Sequence, residues 1–451
     1  MISDDEDVLL ENVGLLIHEL IIKDPMMYIQ PHFHDYVIDQ VSQLIGKQID
    51  EVFFGAFTCN SDTICDDLDY IINRAMRLFY NNIAPKRSSS TSFIRIKPNI
   101  EKTTAKINYL KNIPQPLQRT PEWYEFRSKC LTASNIWKTF ISESTRNQLI
   151  YEKCQPINVD KFTHVSTDTS MHWGNKYEPL SILFYEKIYK TKISDFGCIP
   201  HKNIAFLAAS PDGINTSVTS NRFGRMIEVK NIVNRDINGN PKMEYWIQMQ
   251  VQMEVCDLNE CDFLETRFTE YDSLEAFETD GLSYNRSNDG KRKGAIIMYF
   301  TIEKQPHYEY APIGLSQREF EKWEEENINN HSHMVWIKNI YWKLDELSCV
   351  LVLRNKLWFA YALPLIETLW KTIENDKKNG FLHRAPNKRN KVISKFNNTG
   401  KCYINIHKLM HDDEVKLPIE LDIELDIKVP IELDIEQTHK KIFIKQPLYM
   451  M

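Results

Sequence analysis

The sequence predicts a mixed α/β domain in the middle of the chain, with helical regions before and after it. Residues 115–305 combine strand and helix signals more densely than any other part of the chain. Apolar residues recur at helical spacing within residues 1–80 and again within residues 314–380. The chain has 451 residues, of which 42% are hydrophobic and 26% are charged. This composition is typical of globular proteins, and the length fits about two to three domains.

Composition argues against several classes of protein. No apolar run approaches the ~18–20 residues that would cross a bilayer, so we expect no membrane segment. The acidic start of the chain, Met1–Asp7, is unlike the basic start of a signal peptide. The nine cysteines include no CxxC pair, which favours reduced thiols in a soluble, intracellular protein. The net charge of −7 argues against a nucleic-acid partner unless basic residues gather locally.

Changes in composition divide the chain into five predicted regions. They are a helical N-terminal extension (1–84), a basic linker (85–114), a central α/β domain (115–312), a helical C-terminal region (313–385) and a low-complexity acidic tail (386–451). The linker is rich in lysine and serine, so it is either solvated or lies along phosphates. In the tail the run Ile-Glu-Leu-Asp-Ile occurs three times with the alternation of a strand.

Chemistry is predicted within the central domain, around three charged residues. An apolar run ends at Ser210-Pro211-Asp212-Gly213, so Asp212 is expected at the exposed end of a strand. Glu228 and Lys230 lie two residues apart in a second apolar run and therefore share one face of a strand. If the two strands pair, two carboxylates and one ammonium meet. The pattern by itself also fits an ordinary turn beside an exposed strand pair.

Two carboxylates at one place repel each other unless a cation neutralises them. Mg²⁺ prefers oxygen ligands and polarises phosphoryl oxygens, and it lowers the pKa of bound water. A neighbouring lysine then acts on that water or stabilises the charge of the transition state. The three residues are thus the minimum equipment for hydrolysing a phosphodiester.

Pro211-Asp212 and Glu228-Val229-Lys230 resemble the PD-(D/E)xK nuclease motif. The surrounding block, over residues 115–305, is similar to the lambda exonuclease family, also called YqaJ-type viral recombinases. Five segments carry this resemblance in order: Glu122–Arg127, Thr132–Ser134, Gly174–Glu178, Ser210–Gly213 with Glu228–Lys230, and Tyr245–Met253. One departure is Asn231-Ile232 after the lysine, where family members often have Cys-Pro. The resemblance implies a PD-(D/E)xK restriction-endonuclease-like core, in which helices flank a mixed central sheet.

The resemblance also implies a role for individual residues. Metal, either Mg²⁺ or Mn²⁺ as its substitute, would be held by four groups: the side chains of Asp212, Glu228 and Glu178 and the carbonyl of Val229. Lys230 would activate water or stabilise charge. Gln250 would face the catalytic centre, with Gln248 and Gln252 more weakly placed. Without the resemblance, Glu178 also fits an ordinary acidic residue near a helix N-terminus.

Three further residues would hold phosphates. By the same resemblance Arg127 and Ser134 bind the terminal 5′-phosphate of DNA, and Ser210 makes another phosphate contact. A guanidinium is well suited to this because its planar fork matches phosphate oxygens. Read without the resemblance, Arg127 fits a surface ion pair, and Thr132–Ser134 fits a helix cap. The basic residues between 286 and 293 are either a solvated hairpin or a loop that reaches DNA, and we favour the loop.

The implied activity is Mg²⁺-dependent degradation of linear duplex DNA from 5′-phosphorylated ends, which leaves 3′ single strands for recombination. Two alternatives stay open: a structure-selective or restriction-like endonuclease on the same fold, and a non-catalytic DNA-binding scaffold. The family implies a single-strand annealing partner and a homotrimer. Richness in Ile, Asn, Lys and Tyr favours a viral source, and hence the host cytoplasm or the virion. The chain contains no P-loop, G-x-S-x-G elbow or zinc-ligand spacing.

Overall fold

The computed structural model describes most of the chain before residue 387. The described residues are 3–53, 61–90, 99–118, 120–156, 167, 169–281 and 283–386. They belong to one compact unit, Met1–Lys388. The repeats predicted to form an acidic tail lie outside the described residues. No helix in the described part of the chain is both long enough and apolar enough to cross a membrane.

Helices cover most of the N-terminal region and alternate with strands afterwards. They are α1 (Ser3–Lys23), α2 (Phe33–Phe53), α3 (Ser61–Asn82), α4 (Ile100–Asn112), α5 (Pro121–Ser128), α6 (Ala133–Ile136), α7 (Glu143–Cys154), α8 (Ser170–Tyr189), α9 (Met243–Cys256), α10 (Leu274–Thr279), α11 (Gln317–Asn330) and α12 (Lys356–Asn379).

The strands form two sheets. They are β1 (Ser89–Ser90), β2 (Leu131–Thr132), β3 (Ile193–Ser194), β4 (Ile199–Pro200), β5 (Leu207–Ala209), β6 (Gly213–Asn215), β7 (Met226–Asn231), β8 (Glu260–Glu270), β9 (Lys293–Phe300), β10 (Pro306–Tyr310) and β11 (Val335–Leu353). The large sheet has the order β10-β9-β11-β8-β7-β6-β3, and β1 pairs with β11. Its strands pair antiparallel except for β7 and β8, which run parallel. The small sheet has the order β2-β5-β4.

The mixed sheet with helices around it confirms the predicted fold class. One side of β7 carries Ile227 and Val229, which pack with Tyr185 of α8. The other side carries Met226, which joins the main core together with residues of α9. Because side chains alternate along a strand, Glu228 and Lys230 share the side of Met226 and α9. The fold thus places the side chains of Glu228 and Lys230 between the sheet and α9.

Helices α1, α2 and α3 lie within residues 1–84, where apolar residues recur at helical spacing. Val13, Ile17, Val41 and Ile72 are completely or almost completely buried. These residues belong to the same hydrophobic cluster as Trp246 of α9. The N-terminal helices are therefore packed into the main core of the protein.

The predicted linker over residues 85–114 is wrong as a structural description. Residues 100–112 form α4, in which Ile107 and Leu110 are buried. Arg87 donates hydrogen bonds to the carbonyl oxygen of Pro241 at 3.0 and 2.7 Å, and Ser88 donates to that of Gly239. The lysine-rich composition suggested a solvated segment. The partners of Arg87 and Ser88 are more than 150 residues away in sequence.

The predicted all-helical region over residues 313–385 is also wrong in part. Its first helix, α11, begins at a capping box of Ser316 and Glu319. A 19-residue strand, β11, then pairs with β9 along its first half and with β8 along its second. Leucines spaced by three and four suggested a helix there. Its aromatic and β-branched residues favour a strand, and β8 and β9 supply pairing partners on its two sides. The helix α12 follows and continues through Pro364.

Candidate active site

The candidate active site lies where the turn after β5 meets β7. Asp212 lies in that turn, immediately before β6, which pairs antiparallel with β7. Its Oδ2 accepts a hydrogen bond of 2.7 Å from the backbone N–H of Val229. The structure thus brings Asp212 beside Glu228 and Lys230, as the sequence predicted. The strand that precedes Asp212, β5, belongs to the small sheet, so the pairing is made by the strand that follows it.

The carboxylate of Glu228 is completely buried and held from two sides. Oε1 contacts the Lys230 ammonium, and Oε2 accepts a hydrogen bond of 2.8 Å from the Gln252 side chain. The ammonium of Lys230 lies 5.0 Å from the ring centre of Tyr245, which also belongs to α9. Helix α9 therefore fixes both charged side chains of β7.

Electrostatics indicate that Asp212, Glu228 and Glu178 lie close together. Burial raises the pKa of Asp212 well above its ordinary value, and the carboxylates of Glu228 and Glu178 raise it further. Lys230 and the N–H of Val229 act in the opposite direction. A hard cation offsets the repulsion between three carboxylates that lie around one position.

Lys230 responds to the same charges in the opposite sense. Burial favours its neutral amine, but Glu228 and Asp212 outweigh this effect and hold the pKa of Lys230 above its ordinary value. Lys230 is therefore a protonated ammonium in this arrangement. It provides positive charge at the point where the two carboxylates converge.

The backbone of Val229 contributes a further oxygen to this place. The N–H and the carbonyl of one residue point to the same side of a β-strand. Because the Val229 N–H points at Asp212, its carbonyl faces the same side, next to the point where β6 begins. The side chains of Asp212, Glu228 and Glu178 and this carbonyl form an all-oxygen donor set. Such a set suits Mg²⁺ or Mn²⁺.

Gln252 supports the same conclusion. Its Oε1 is buried and has no hydrogen-bond partner among the described residues. Unpaired buried oxygens are costly, and a water molecule can satisfy one by donating a hydrogen. Bound Mg²⁺ usually keeps several waters, so a hydrated cation fits beside this side chain.

The prediction that Gln250 faces the catalytic centre is wrong. Gln250 is completely buried, and its amide donates to the carbonyl of Leu353 at 3.0 Å. Its side-chain oxygen accepts from the N–H of Asn355 at 2.7 Å. Gln250 thus anchors the connection between β11 and α12, whereas Gln252 contacts Glu228. Two positions along a helix correspond to about 200°, so only one of the two glutamines can face the strand.

Arg127 and Ser134 are also brought together. The guanidinium donates a hydrogen bond of 2.9 Å to the Ser134 hydroxyl and lies 4.2 Å from the ring centre of Trp123. Trp123 and Arg127 are four residues apart on α5, which places them on one helical face. The cap of α6 is Thr132, whose capping box uses Asn135. Ser134 is therefore not needed as a cap, and its hydroxyl is exposed.

Ser210 lies between the two groups. Its hydroxyl accepts a hydrogen bond of 3.3 Å from the indole of Trp123, and its carbonyl accepts one of 3.4 Å from Gln252. A continuous chain of contacts thus runs from Arg127 through Trp123, Ser210 and Gln252 to Glu228. All three predicted phosphate ligands and Glu228 lie along this one line of contacts.

Sequence reasoning missed four contributors to the site. Trp123 received no role at the site, and Gln252 was ranked below Gln250. Tyr245 and Lys153 received no role. Lys153 of α7 donates a hydrogen bond of 2.7 Å to the carbonyl of Arg127, and burial lowers its pKa to about 8. The spacing of Trp123 and Arg127 could have revealed the stacking, but no sequence signal points to Lys153.

The departure at Asn231 has a structural explanation. Its side chain donates to the carbonyl of Gly174 at 3.1 Å, and its oxygen accepts from the hydroxyls of Ser181 and Thr266, each at 2.7 Å. Asn231 therefore joins β7 to α8 and β8. This contact fixes the helix that carries Glu178.

Some lysines of the predicted basic stretches are engaged within the protein. Lys293 is buried, and its ammonium donates to the carbonyls of Phe277 and Asp280. Lys291 pairs with Asp345 at 3.1 Å, and Lys106 pairs with Asp257 at 2.6 Å. The idea that residues 286–293 form a loop reaching DNA is therefore wrong for Lys293.

A comparison of families identifies the central part of the chain. Residues 122–259 match the YqaJ-like viral recombinase domain. This part of the chain is similar to that family. The YqaJ-like domain contains the predicted metal and phosphate ligands, together with Gln252. The matched residues end before β9 and β11, which extend the large sheet.

Individual proteins resemble larger parts of the chain. An uncharacterized protein of Acanthamoeba polyphaga mimivirus is 30% identical over 306 residues, which are 59% of this chain and 54% of that protein. The chain thus spans about half the length of this curated relative. Two solved structures of an alkaline exonuclease from Laribacter hongkongensis, one of them with dAMP, are each 18% identical with a TM-score of 0.34. They match 59% and 58% of this chain, and 97% and 95% of their own chains.

Proposed function

We propose that the chain is a divalent-metal-dependent deoxyribonuclease that degrades linear duplex DNA from 5′-phosphorylated ends and leaves 3′ single strands. The observation that carries the proposal is the contact line from Arg127 and Ser134 to Asp212, Glu228 and Lys230. One end offers a fork for a terminal phosphate, and the other offers the groups that phosphodiester hydrolysis needs. The family of residues 122–259 agrees with this activity.

The metal in this proposal is Mg²⁺, with Mn²⁺ as its substitute. Asp212, Glu228, Glu178 and the carbonyl of Val229 would hold it. When bound, such an ion polarises a phosphoryl oxygen and lowers the pKa of its water.

The residues of the chain contribute position and charge. The buried amide of Gln252 fixes Glu228 in one orientation, so the carboxylate does not reorganise when substrate arrives. Lys230 places an ammonium beside the reacting phosphate and stabilises the negative charge that develops there. Asp212 is fixed by the backbone N–H of Val229. All three groups are therefore set before DNA binds.

The other end of the contact line selects the substrate. Arg127 is stacked on Trp123, so its fork is held in one plane and can donate hydrogen bonds to two phosphate oxygens. Ser134 adds a hydroxyl donor beside it, and Ser210 lies between this pair and the carboxylates. A terminal phosphate bound by Arg127 and Ser134 would fix how far the DNA strand extends toward the carboxylates. Cleavage then starts from an end.

One incubation series tests the proposal. Purified protein is mixed with linear duplex DNA that carries 5′-phosphate, with linear duplex that lacks it, and with closed circles, each with Mg²⁺ and with a chelator. We expect rapid loss of the phosphorylated strand, slower loss without the phosphate, intact circles and no reaction in chelator. Label placed at either end of one strand reports the direction. Cutting of closed circles would favour the endonuclease, and hydrolysis in chelator would overturn the metal requirement.

Two partners belong to the same proposal. The products, 3′ single strands, are substrates for a single-strand annealing protein, and a homotrimer would enclose the DNA during repeated cleavage. Light scattering of the purified chain measures the second point. A monomer at all concentrations would contradict the trimer without affecting the proposed reaction.

A further inference from the structure

A second cluster of potential ligands lies outside the candidate active site. His307 and Glu309 belong to β10, and His331 follows α11. In the described part of the chain these three side chains form a group whose ligand atoms all lie within 4.8 Å of one another. β10 and β7 are separated by three strands, which corresponds to roughly 19 Å at the spacing of strands in a sheet. The cluster is therefore distinct from the carboxylates of the active site.

We propose that His307, Glu309 and His331 bind a transition-metal ion of the Zn²⁺ type. Oε1 of Glu309 lies 2.8 Å from Nε2 of His307 and 3.4 Å from Nε2 of His331. Ligand atoms around a tetrahedral zinc ion at ~2.0–2.1 Å are about 3.3 Å apart. The observed spacings need only small side-chain rotations to reach this value.

The tautomer of His331 supports a cation at this place. Its Nδ1 lies 2.9 Å from the carbonyl oxygen of Asn327, and a carbonyl can only accept, so Nδ1 carries the hydrogen. In the neutral ring Nε2 then carries a lone pair, and this lone pair faces the Glu309 carboxylate. Two acceptors that face each other repel unless a proton or a metal ion lies between them. A metal ion satisfies this nitrogen together with His307.

A second set of contacts orients the ligands. The Asn327 amide donates to the other oxygen of Glu309 at 3.4 Å, and the hydroxyl of Tyr299 donates to the Asn327 side-chain oxygen at 2.8 Å. Ligating histidines and carboxylates are commonly fixed in this way by hydrogen bonds from behind. Asn327 holds both His331 and Glu309, so the two ligands are set by one residue.

The chemistry of the donors selects the class of metal. Two imidazoles and one carboxylate suit Zn²⁺ and its neighbours in the transition series, whereas Mg²⁺ prefers oxygen. Between 20% and 36% of each of the three side chains is exposed, so an ion can enter from solvent. His333 lies nearby, with its ring centre 6.1 Å from that of His331, and it or water would complete the coordination.

The proposed site would join the edge strand of the large sheet to the end of α11. β10 is the last strand in the sheet order, and edge strands expose unpaired backbone groups. A metal ion between β10 and His331 would fix this edge against the helix that precedes β11. We therefore assign the ion a structural role, independent of DNA cleavage.

The test is a zinc titration of the full chain without a histidine tag. The protein is stripped with chelator, and Zn²⁺ is added in competition with a chromogenic chelator while millimolar Mg²⁺ occupies hard-oxygen sites. We expect His307→Ala and His331→Ala each to lose one equivalent of bound zinc, or to weaken its Kd at least about tenfold. His32→Ala, which removes an exposed histidine elsewhere, serves as the matched control and should titrate like the wild type.

A second variant guards against simple misfolding. His331→Cys keeps a ligand for zinc, and with Co²⁺ it should give the absorption of a cobalt–thiolate bond that the wild type lacks. Zinc should also raise the thermal unfolding temperature of the wild type and leave that of His331→Ala unchanged. Equal zinc binding by the wild type and both alanine variants would overturn the proposal, as would a loss of binding in His32→Ala as large as theirs. Absence of the cobalt–thiolate band in a folded His331→Cys variant would also overturn it.

Discussion

The carboxylate centre and the Arg127–Ser134 pair differ in how the fold supports them. Glu228 lies on β7, between two strands and under α9, and it is completely buried. Ser134 is exposed on the four-residue helix α6, and Arg127 lies in the last turn of the eight-residue helix α5. The first place is rigid because a sheet and a buried helix fix it. The second is held by the stacking of Arg127 on Trp123, by its hydrogen bond to Ser134 and by the hydrogen bond from Lys153 to the Arg127 carbonyl.

Under the proposed function, this difference would separate chemistry from recognition. A change in the carboxylate centre should abolish turnover whichever DNA end is offered. A change in the pair should alter which ends are preferred and leave the reaction itself intact. The following variants test this separation, from the largest expected effect to the smallest.

Lys230→Ala should lower the rate of cleavage about a thousandfold or more, because a preorganised charge at the reacting phosphate is lost. Binding of linear DNA should change little, since recognition lies at the other end. Single-turnover rates and gel-shift titrations measure the two quantities. Lys322→Ala removes an exposed lysine on α11 and should behave like the wild type. A cleavage rate unchanged in Lys230→Ala would contradict the proposed mechanism, and binding without any cleavage by the wild type would support the scaffold alternative.

Arg127→Ala should reduce the preference for 5′-phosphorylated ends by about ten- to a hundredfold, the value of a charge-assisted hydrogen bond of ~1.5–3 kcal/mol. The rate on ends that lack phosphate should stay near the wild-type value. The ratio of the two rates is the measurement. Arg127→Lys retains the charge but loses the fork, so it should recover only part of the preference. An equal loss of rate on both kinds of end would instead place Arg127 in the chemistry.

The sequence predicted the carboxylate centre well because its geometry is local. Glu228 and Lys230 share a face through the two-residue period of a strand, and Asp212 is positioned by a short turn. The choice between Gln250 and Gln252 is different. It depends on how α9 is rotated above the sheet, and α9 is buried on nearly all sides, so its sequence carries no clear polar face.

Dependence on contacts between distant residues also explains why the predictions for β11 and for residues 85–114 are wrong. β11 resembles a helix in its leucine spacing, and it becomes a strand because β8 and β9 are available as partners. Residues 85–114 resemble a linker, and Arg87 and Ser88 become ordered through Pro241 and Gly239. Contacts between residues distant in sequence decide both cases. A single sequence contains no direct record of them.

Gln252→Ala and Gln250→Ala form a matched pair within one helix. We expect Gln252→Ala to lower the cleavage rate roughly tenfold, because Glu228 loses the donor that orients it. Gln250→Ala should instead lower the free energy of unfolding by about 1–3 kcal/mol, because the Leu353 carbonyl and the Asn355 N–H lose their partner. Rates are compared per folded molecule, and urea unfolding gives the stabilities. A greater loss of rate in Gln250→Ala would restore the role that the resemblance implied for it.

The smallest effect concerns Lys153, whose ammonium donates to the carbonyl of Arg127. Burial lowers its pKa from 10.5 to about 8, so between these values the unfolded chain binds more protons than the folded protein does. Stability therefore rises with pH in this window, and the cost of burying the charge is fully present below pH 8. Lys153→Met lacks this cost. It should gain about 1 kcal/mol over the wild type at pH 7, after allowance for solvent at the half-buried side chain.

The advantage of Lys153→Met should shrink as the pH rises from 8 to 10.5, because the wild type then loses the costly proton in the folded state. Urea unfolding of both proteins at pH 7 and pH 9.5 measures the change, and Lys322→Met controls for the loss of an exposed lysine. A constant difference would contradict burial of this ammonium. A shrinking one would mean that the recognition end is held together at a cost in stability.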